Sequence, residues 1–363
     1  MPNPPLLLHV FPTFSVGGSQ MRFAALANRF GAKFRHVVVA MDGRTECRER
    51  LREGLDIDFP QILLRPRDTL GNVLRFRALL RAIGPSRLIT YNWGSIECAM
   101  ANWPGLAPHV HIEDGFGPEE ASGQLRRRVL TRRYVLSRST VVLPSRLLFK
   151  LASEVWKLDP KGLRYIPNGI DCDRFGAERL KPYTWLGTSP IIGTVAALRP
   201  EKNLVRLLEA FRMVRTKMPC RLLIAGDGPE RVRLEHRASM LGIAEDVKFA
   251  GQITETERVY RVLSVFALSS DTEQMPTAVL EAMAAGLPVA ATNVGDVSEM
   301  VAPENHPFVT PLGADALALA LLKLLSAPEE AAAVGAANRH VVRERYDQAG
   351  MFEAYEAIFS GAG

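Results

Sequence analysis

A chain of 363 residues with 47% hydrophobic and 23% charged residues can build two ordinary domains, each with its own core, and is neither disordered nor fibrous. The net charge of +6 is uneven: residues 1–180 hold 27 Lys and Arg against 17 Asp and Glu, and the remainder 18 against 22. A basic first half can attract anionic lipid head groups, phosphorylated acceptors or nucleic acid, while the scattered Cys47, Cys98, Cys172 and Cys220 argue against a disulfide framework or a zinc site. The opening MPNPPLLLHVF has no basic leader and no segment approaches about 18 uninterrupted apolar residues, so cytosolic residence is expected.

In chain order, Leu6–Phe11, His36–Ala40, Arg87–Tyr91, Val110–Ile112 and Thr140–Leu143 read as strands between longer helical patterns, which is the signature of a parallel sheet covered on both faces. After the first run comes Ser15-Val16-Gly17-Gly18-Ser19-Gln20, then a helical pattern over Met21–Phe30. The glycine pair lets the backbone approach a ligand and aims N–H groups at an anion. His109-Val110-His111-Ile112-Glu113-Asp114-Gly115 closes a later strand, with both His111 and Asp114 as candidates for the reactive edge. Gln124 to Arg138 reads as a basic amphipathic helix in which Arg126, Arg127, Arg128, Arg132, Arg133 and Arg138 alternate with Leu125, Val129, Leu130 and Val135. Anionic lipid or solvent can face it, whereas no stacking aromatics accompany it to suggest nucleic acid.

Pro182, Gly187 and Pro190 mark a linker. Beyond it Ile191–Leu198, Arg221–Ala225, Val247–Ala250, Val265–Leu268 and Val289–Thr292 form a second set of strands, and Val341–Phe359 reads as a helix. Two such domains facing a central cleft would bind ligands at their strand C-termini. Arg199-Pro200-Glu201-Lys202-Asn203 follows one of these strands and offers two cations to a diphosphate. Gly226-Asp227-Gly228-Pro229 invites a dinucleotide reading, but Arg231 occupies the third Gly position and no ribose-binding acid follows at the required distance.

The most informative stretch is EQMPTAVLEAMAAGLPVAAT, residues 273–292. Glu273 and Glu281 are separated by seven residues. Pro276 stands where a first helical turn begins, and the free N–H groups there, with Gln274, Met275, Pro276 and Thr277 around them, make an anion site. This stretch resembles the Glu-x7-Glu signature of retaining nucleotide-sugar glycosyltransferases of family 4, although Gln274 stands where the family usually has Gly. Two carboxylates suit a sugar because each accepts bonds from hydroxyls worth roughly 1.5–3 kcal/mol apiece.

That resemblance covers almost the whole chain and implies a GT-B fold of two Rossmann-like doubly wound α/β domains. The expected division is 1–180, 181–340 and a C-terminal helix, 341–363, that returns to the first domain. It implies that Arg199 and Lys202 clamp the leaving diphosphate, that Glu273 and Glu281 hold sugar and ribose hydroxyls, and that Gly17 and Gly18 face the diphosphate. Gly228 and Gly251 would lie by the nucleotide, and Asp114 or His111 by the anomeric centre. Asp171-Cys172-Asp173 lies in PNGIDCDRF, which resembles the family's structural interdomain signature, so neither a metal nor a cofactor is expected. The expected reaction moves a sugar from a nucleotide diphosphate donor, UDP favoured and GDP possible, to a saccharide, glycolipid or lipid-linked acceptor, with an anionic membrane surface as a further partner. The alternatives are an NAD-dependent oxidoreductase, which would need the missing third Gly, and a non-catalytic nucleotide-sugar binding module, which would not need Arg199 and Lys202.

Overall fold

The computed structural model describes residues 3–116, 120, 123–176, 183 and 189–361. It divides into two compact units, Met1–Asn168 with Ala349–Gly363, and Gly169–Gln348. The divisions therefore fall at Gly169 and Ala349 rather than at 181 and 341. The reason is local: Ile170 pairs with Asp347, its N–H donating to the Tyr346 carbonyl at 2.9 Å while the Gln348 N–H donates back at 3.0 Å. Of the expected linker turns, Pro182 and Gly187 lie outside the described residues, and Pro190 leads directly into a strand.

In the first unit seven parallel strands are β1 (Leu6–Phe11), β2 (Arg35–Ala40), β3 (Ile57–Asp58), β4 (Arg87–Tyr91), β5 (His109–Ile112), β6 (Thr140–Leu143) and β7 (Leu163–Tyr165). Their spatial order is β3-β2-β1-β4-β5-β6-β7, with Leu7 opposite His36 and Thr90 opposite His111. Continuous apolar runs such as Leu88-Ile89 and Val141-Val142 are buried on both faces, as a helix-covered parallel sheet requires. One core joins Phe11, Phe23, Ile89 and Val110 to Met351, Tyr355, Ile358 and Phe359 of the last helix, Gln348–Ser360.

In the second unit six parallel strands are β8 (Ile191–Val195), β9 (Arg221–Ala225), β10 (Val247–Gly251), β11 (Val265–Leu268), β12 (Val289–Thr292) and β13 (Val309–Thr310). The order is β10-β9-β8-β11-β12-β13, so the winding reverses between β8 and β11. In doubly wound sheets that reversal opens a crevice at the strand C-termini. Here the two C-termini at the switch lead to Arg199 and to Glu273.

Two expectations are corrected, and three short strands are added. β8 ends at Val195, not Leu198: the Ala196 and Leu198 N–H groups still bond the Ala225 and Asp227 carbonyls at 3.0 and 2.9 Å, but the Arg199 N–H turns back to Ala197 O at 2.9 Å. Val341–Phe359 is not one helix: Pro328–Arg345 and Gln348–Ser360 are separated at Tyr346-Asp347, where the chain pairs with Ile170. The short β3, β7 and β13, of two or three residues, leave too little alternation to be seen in sequence.

Candidate active site

In the second unit the turn after β8 and the loop after β11 are tied together by their backbones. The Asp271 N–H donates to Glu201 O at 2.9 Å, and the Ser269 hydroxyl donates to Lys202 O at 2.9 Å. Asn203 adopts the left-handed region (φ 39°), where its side chain caps the helix Leu204–Arg215 and also donates to Asp271 at 3.1 Å. The consequence is that Lys202 Nζ lies 2.5 Å from Glu273 Oε1, which also accepts from the Ser270 hydroxyl at 2.7 Å. Two residues 71 positions apart, each singled out in sequence for the donor, are thus in direct contact. Arg199, whose carbonyl accepts from the Lys202 N–H at 3.1 Å, is exposed, and its guanidinium has no ion pair among the described residues.

The helix after this loop is Thr277–Ala284, with Pro276 just outside it as N-cap and no side chain capping its first N–H groups. The Val279 N–H bonds the Pro276 carbonyl at 3.1 Å, and those of Thr277 and Ala278 before it can meet an anion. Met275 and Pro276 are buried, Met275 in the apolar core, so that Met275 can meet a donor only through its backbone, whereas Thr277 is exposed. Gln274 is not among the residues with positive φ, so the loop does not require Gly there. The residue it does require is Gly295, which sequence reasoning missed. It has φ 55°, and a Cβ would lie 2.5 Å from the carbonyl oxygens of Glu273 and Gln274.

Glu281 is half-buried on the same helix and accepts from the Tyr260 hydroxyl at 2.7 Å. Burial pushes its carboxyl up to about 7, aided by Glu257 and opposed by the Tyr260 bond and by Arg174, which itself pairs with Glu257 at 2.6 Å. The other expected donor contacts have a packing explanation. A Cβ on Gly228 (φ 158°) would lie 2.6 Å from Leu198 O, so this glycine lets the β9 turn pack against the segment before Arg199. Gly251 (φ 71°) sits where the β9–β10 register shifts, and its carbonyl accepts from Gly226 at 2.8 Å.

In the first unit Gly17 caps the helix Gly18–Phe30 with extended backbone (φ −164°), and no side chain caps the first N–H groups. Gln20 folds back to donate to Thr13 O at 2.8 Å, leaving the space around Gly18 open. At the end of β5 the two candidates separate. His111 is fully buried, with Nδ1 2.8 Å from Thr90 Oγ1 and Nε2 3.6 Å from Glu113 Oε2. Asp114 is one-fifth exposed and lies against Arg22, another residue that sequence reasoning missed.

The Arg-rich segment departs most from expectation. The helix runs Arg126–Val135, and Arg128 and Arg132 lie on its buried face while Leu130 and Tyr134 are exposed. Arg132 is 0% exposed. Its fork meets both oxygens of Glu120 at 3.2 and 3.1 Å, its Nε meets Glu113 at 3.3 Å, and the guanidinium lies 4.9–5.3 Å from the rings of Trp93, Phe116 and Trp156. Burial would raise Glu120, but bonds from Arg132 and Arg128 hold it below its usual value. Only Arg126, Arg127, Arg133 and Arg138 remain for a surface, with Arg138 stacked 4.9 Å over Trp103.

The Asp-x-Asp of residues 171–173 is engaged in the fold. Asp171 accepts from the Arg174 N–H at 2.9 Å, and Asp173 pairs with Arg343 at 3.1 Å. Among the described residues no group of three or more His, Cys, Asp or Glu is placed to hold a metal ion, and no helix is long and apolar enough to cross a membrane.

Comparison with known proteins matches residues 16–174 to Glycosyltransferase Family 4 and residues 178–341 to Glycosyl transferases group 1. A GDP-mannose-dependent alpha-(1-6)-phosphatidylinositol monomannoside mannosyltransferase of Mycolicibacterium smegmatis is 33% identical over 194 residues, 49% of this chain and 51% of that protein. A D-inositol 3-phosphate glycosyltransferase of Segniliparus rotundus is 26% identical over 270 residues, 70% of this chain and 59% of that one. The chain thus spans about half the length of the first of these relatives. Among solved structures, a glycosyltransferase from Rickettsia africae superposes with TM-score 0.82 at 17% identity, covering 99% of both chains. Anabaena HepE in complex with UDP gives 0.81 at 17% identity, covering 98% of this chain and 99% of that one. With two doubly wound parallel sheets, these neighbours, and consecutive family matches across both units, the chain belongs to the family 4 glycosyltransferases of GT-B fold.

Proposed function

We propose that the protein transfers a sugar from a nucleoside diphosphate sugar to a hydroxyl of a glycolipid, lipid-linked or polysaccharide acceptor, with retention at the anomeric carbon. The observation that carries this reading is the contact between Lys202 and Glu273 beside Arg199 and an uncapped helix N-terminus, at the switch point of the second sheet. Cations and backbone N–H groups stabilise a departing diphosphate, and the carboxylates accept donor hydroxyls. A metal is not needed where those groups already supply the positive charge. The mannosyltransferase relatives favour GDP-mannose as the first donor to test. UDP-sugars come second, on the likeness to HepE in complex with UDP. The test is transfer to a lipid-linked acceptor with a panel of GDP- and UDP-sugars in excess EDTA. Loss of transfer in EDTA with recovery on manganese defeats the metal-free part, and no transfer or donor binding with any sugar nucleotide defeats the whole.

Glu281 gives this reading a pH signature. To accept ribose hydroxyls it must be ionised, while in the free protein burial holds it near 7. Donor binding should therefore release a proton, and affinity should rise with pH, being about tenfold weaker at pH 6 than at pH 8. Calorimetric Kd values that stay flat across this range, or a Glu281→Gln variant with the same slope as wild type, would remove the ribose role.

The acceptor side includes an anionic membrane surface, read from the exposed face with Arg126, Arg127, Leu130, Arg133 and Tyr134. Replacing Arg126, Arg127, Arg133 and Arg138 together by Gln should lower co-sedimentation with anionic vesicles, more so at low salt, where the Debye length exceeds the ~8 Å of physiological buffer. Donor binding should not change. Equal sedimentation of variant and wild type would mark an ordinary solvated face and favour a soluble acceptor.

A further inference from the structure

We infer that Arg22 is a positioning residue that holds the Asp114 carboxylate as a fixed, oriented hydrogen-bond acceptor at the reaction edge of the first unit. The inference rests on the reading of Asp114 as an acceptor-side group. Arg22 lies on the helix Gly18–Phe30 that follows the Gly17-Gly18 turn, and it is 8% exposed. Its Nη2–H donates to Asp114 Oδ2 at 2.8 Å, while Nη1 lies 2.7 Å from Oδ1 as an ion-pair contact without hydrogen-bond alignment. Nη1 also donates to Asn168 Oδ1 at 2.8 Å, and the guanidinium carbon lies 5.8 Å over the Tyr355 ring. From the other side, the Asp114 backbone N–H donates at 2.7 Å to Oδ1 of Asn92, a residue held at φ 55°. Asp114 is therefore fixed at backbone and side chain by two different elements.

The chemistry follows from the pairing. A carboxylate with a guanidinium nitrogen beside each oxygen is held in one orientation, so its remaining lone pairs point in fixed directions. It retains negative charge and lone pairs, with which it can accept a bond from an acceptor hydroxyl or face an oxocarbenium-like centre. Burial would lower the Arg22 guanidinium, and the Asp114 carboxylate more than reverses this, so Arg22 stays charged. Lysine cannot replace it fully, since one ammonium does not span both carboxylate oxygens and Asn168.

The test is a double-mutant cycle on the full chain with Arg22→Met, Arg22→Lys, Asp114→Ala and the double variant Arg22→Met with Asp114→Ala. Each is checked for folding by thermal melting and assayed for kcat and for donor and acceptor KM. Arg22→Met should lower kcat about tenfold or more with donor KM within about twofold, Arg22→Lys should recover part of the loss, and in the Asp114→Ala background Arg22→Met should change kcat by less than about twofold. An equal loss in both backgrounds would show that Arg22 does not act through Asp114. Should Arg22→Met fail to fold, Arg22→Lys decides, and wild-type kcat in that variant overturns the proposal. Wild-type kcat in Asp114→Ala sinks the reading of Asp114 itself, an outcome distinct from either of these.

Discussion

Lys202→Ala is expected to lower kcat by about 100- to 1000-fold while the protein stays folded, the range found when one group that stabilises developing charge is removed. Lys202 is only partly exposed, its backbone is pinned by the Ser269 hydroxyl, and its ammonium neutralises Glu273. The substitution therefore removes the cation proposed to meet the departing diphosphate and also leaves Glu273 with the Ser270 hydroxyl as its one side-chain partner among the described residues. Both effects fall on the chemical step, so the loss should appear in kcat more than in donor KM. Arg199→Ala should lose less, about 10- to 100-fold, since Arg199 is exposed and its guanidinium has no ion pair among the described residues. A folded Lys202→Ala protein with kcat within twofold of wild type would falsify the clamp.

The second large effect is on stability. Arg132→Met should destabilise the protein by about 3–5 kcal/mol, the range for breaking a buried ion pair from one side, because Glu113 would be left in the interior without its cation and Glu120 with Arg128 alone. For a unit of this size that corresponds to a fall in Tm of about 10 °C. Arg126, Arg127, Arg133 and Arg138, replaced singly by Gln, should each stay within about 0.5 kcal/mol of wild type, as exposed positions do. Denaturant melts of the five variants decide the matter. An Arg132→Met protein that melts with wild type would mean that water or a shifted side chain compensates the two carboxylates. The contrast also governs the vesicle experiment, in which replacing Arg132 would report unfolding rather than surface charge.

The strand runs, the separation of Glu273 from Glu281, and the two cations after β8 were legible in the chain itself. Each is a local pattern: apolar runs report double burial in a parallel sheet, and residues within one loop and helix keep their spacing wherever the fold places them. Three kinds of fact were not local. Contact between Lys202 and Glu273, or between Arg22 and Asp114, joins residues 71 and 92 positions apart and depends on which strand ends the sheet order brings together. The requirement for Gly295 comes from the carbonyls of Glu273 and Gln274, over which no side chain fits. In the run of six arginines the residue type gives the same charge at every position. Only the packing of one helix face against Trp93, Phe116 and Trp156, with Glu113 and Glu120 waiting beneath it, decided that Arg132 lies in the interior while Arg126, Arg127 and Arg133 face water, because a buried charge is tolerated only where opposite charge and hydrogen bonds already surround it.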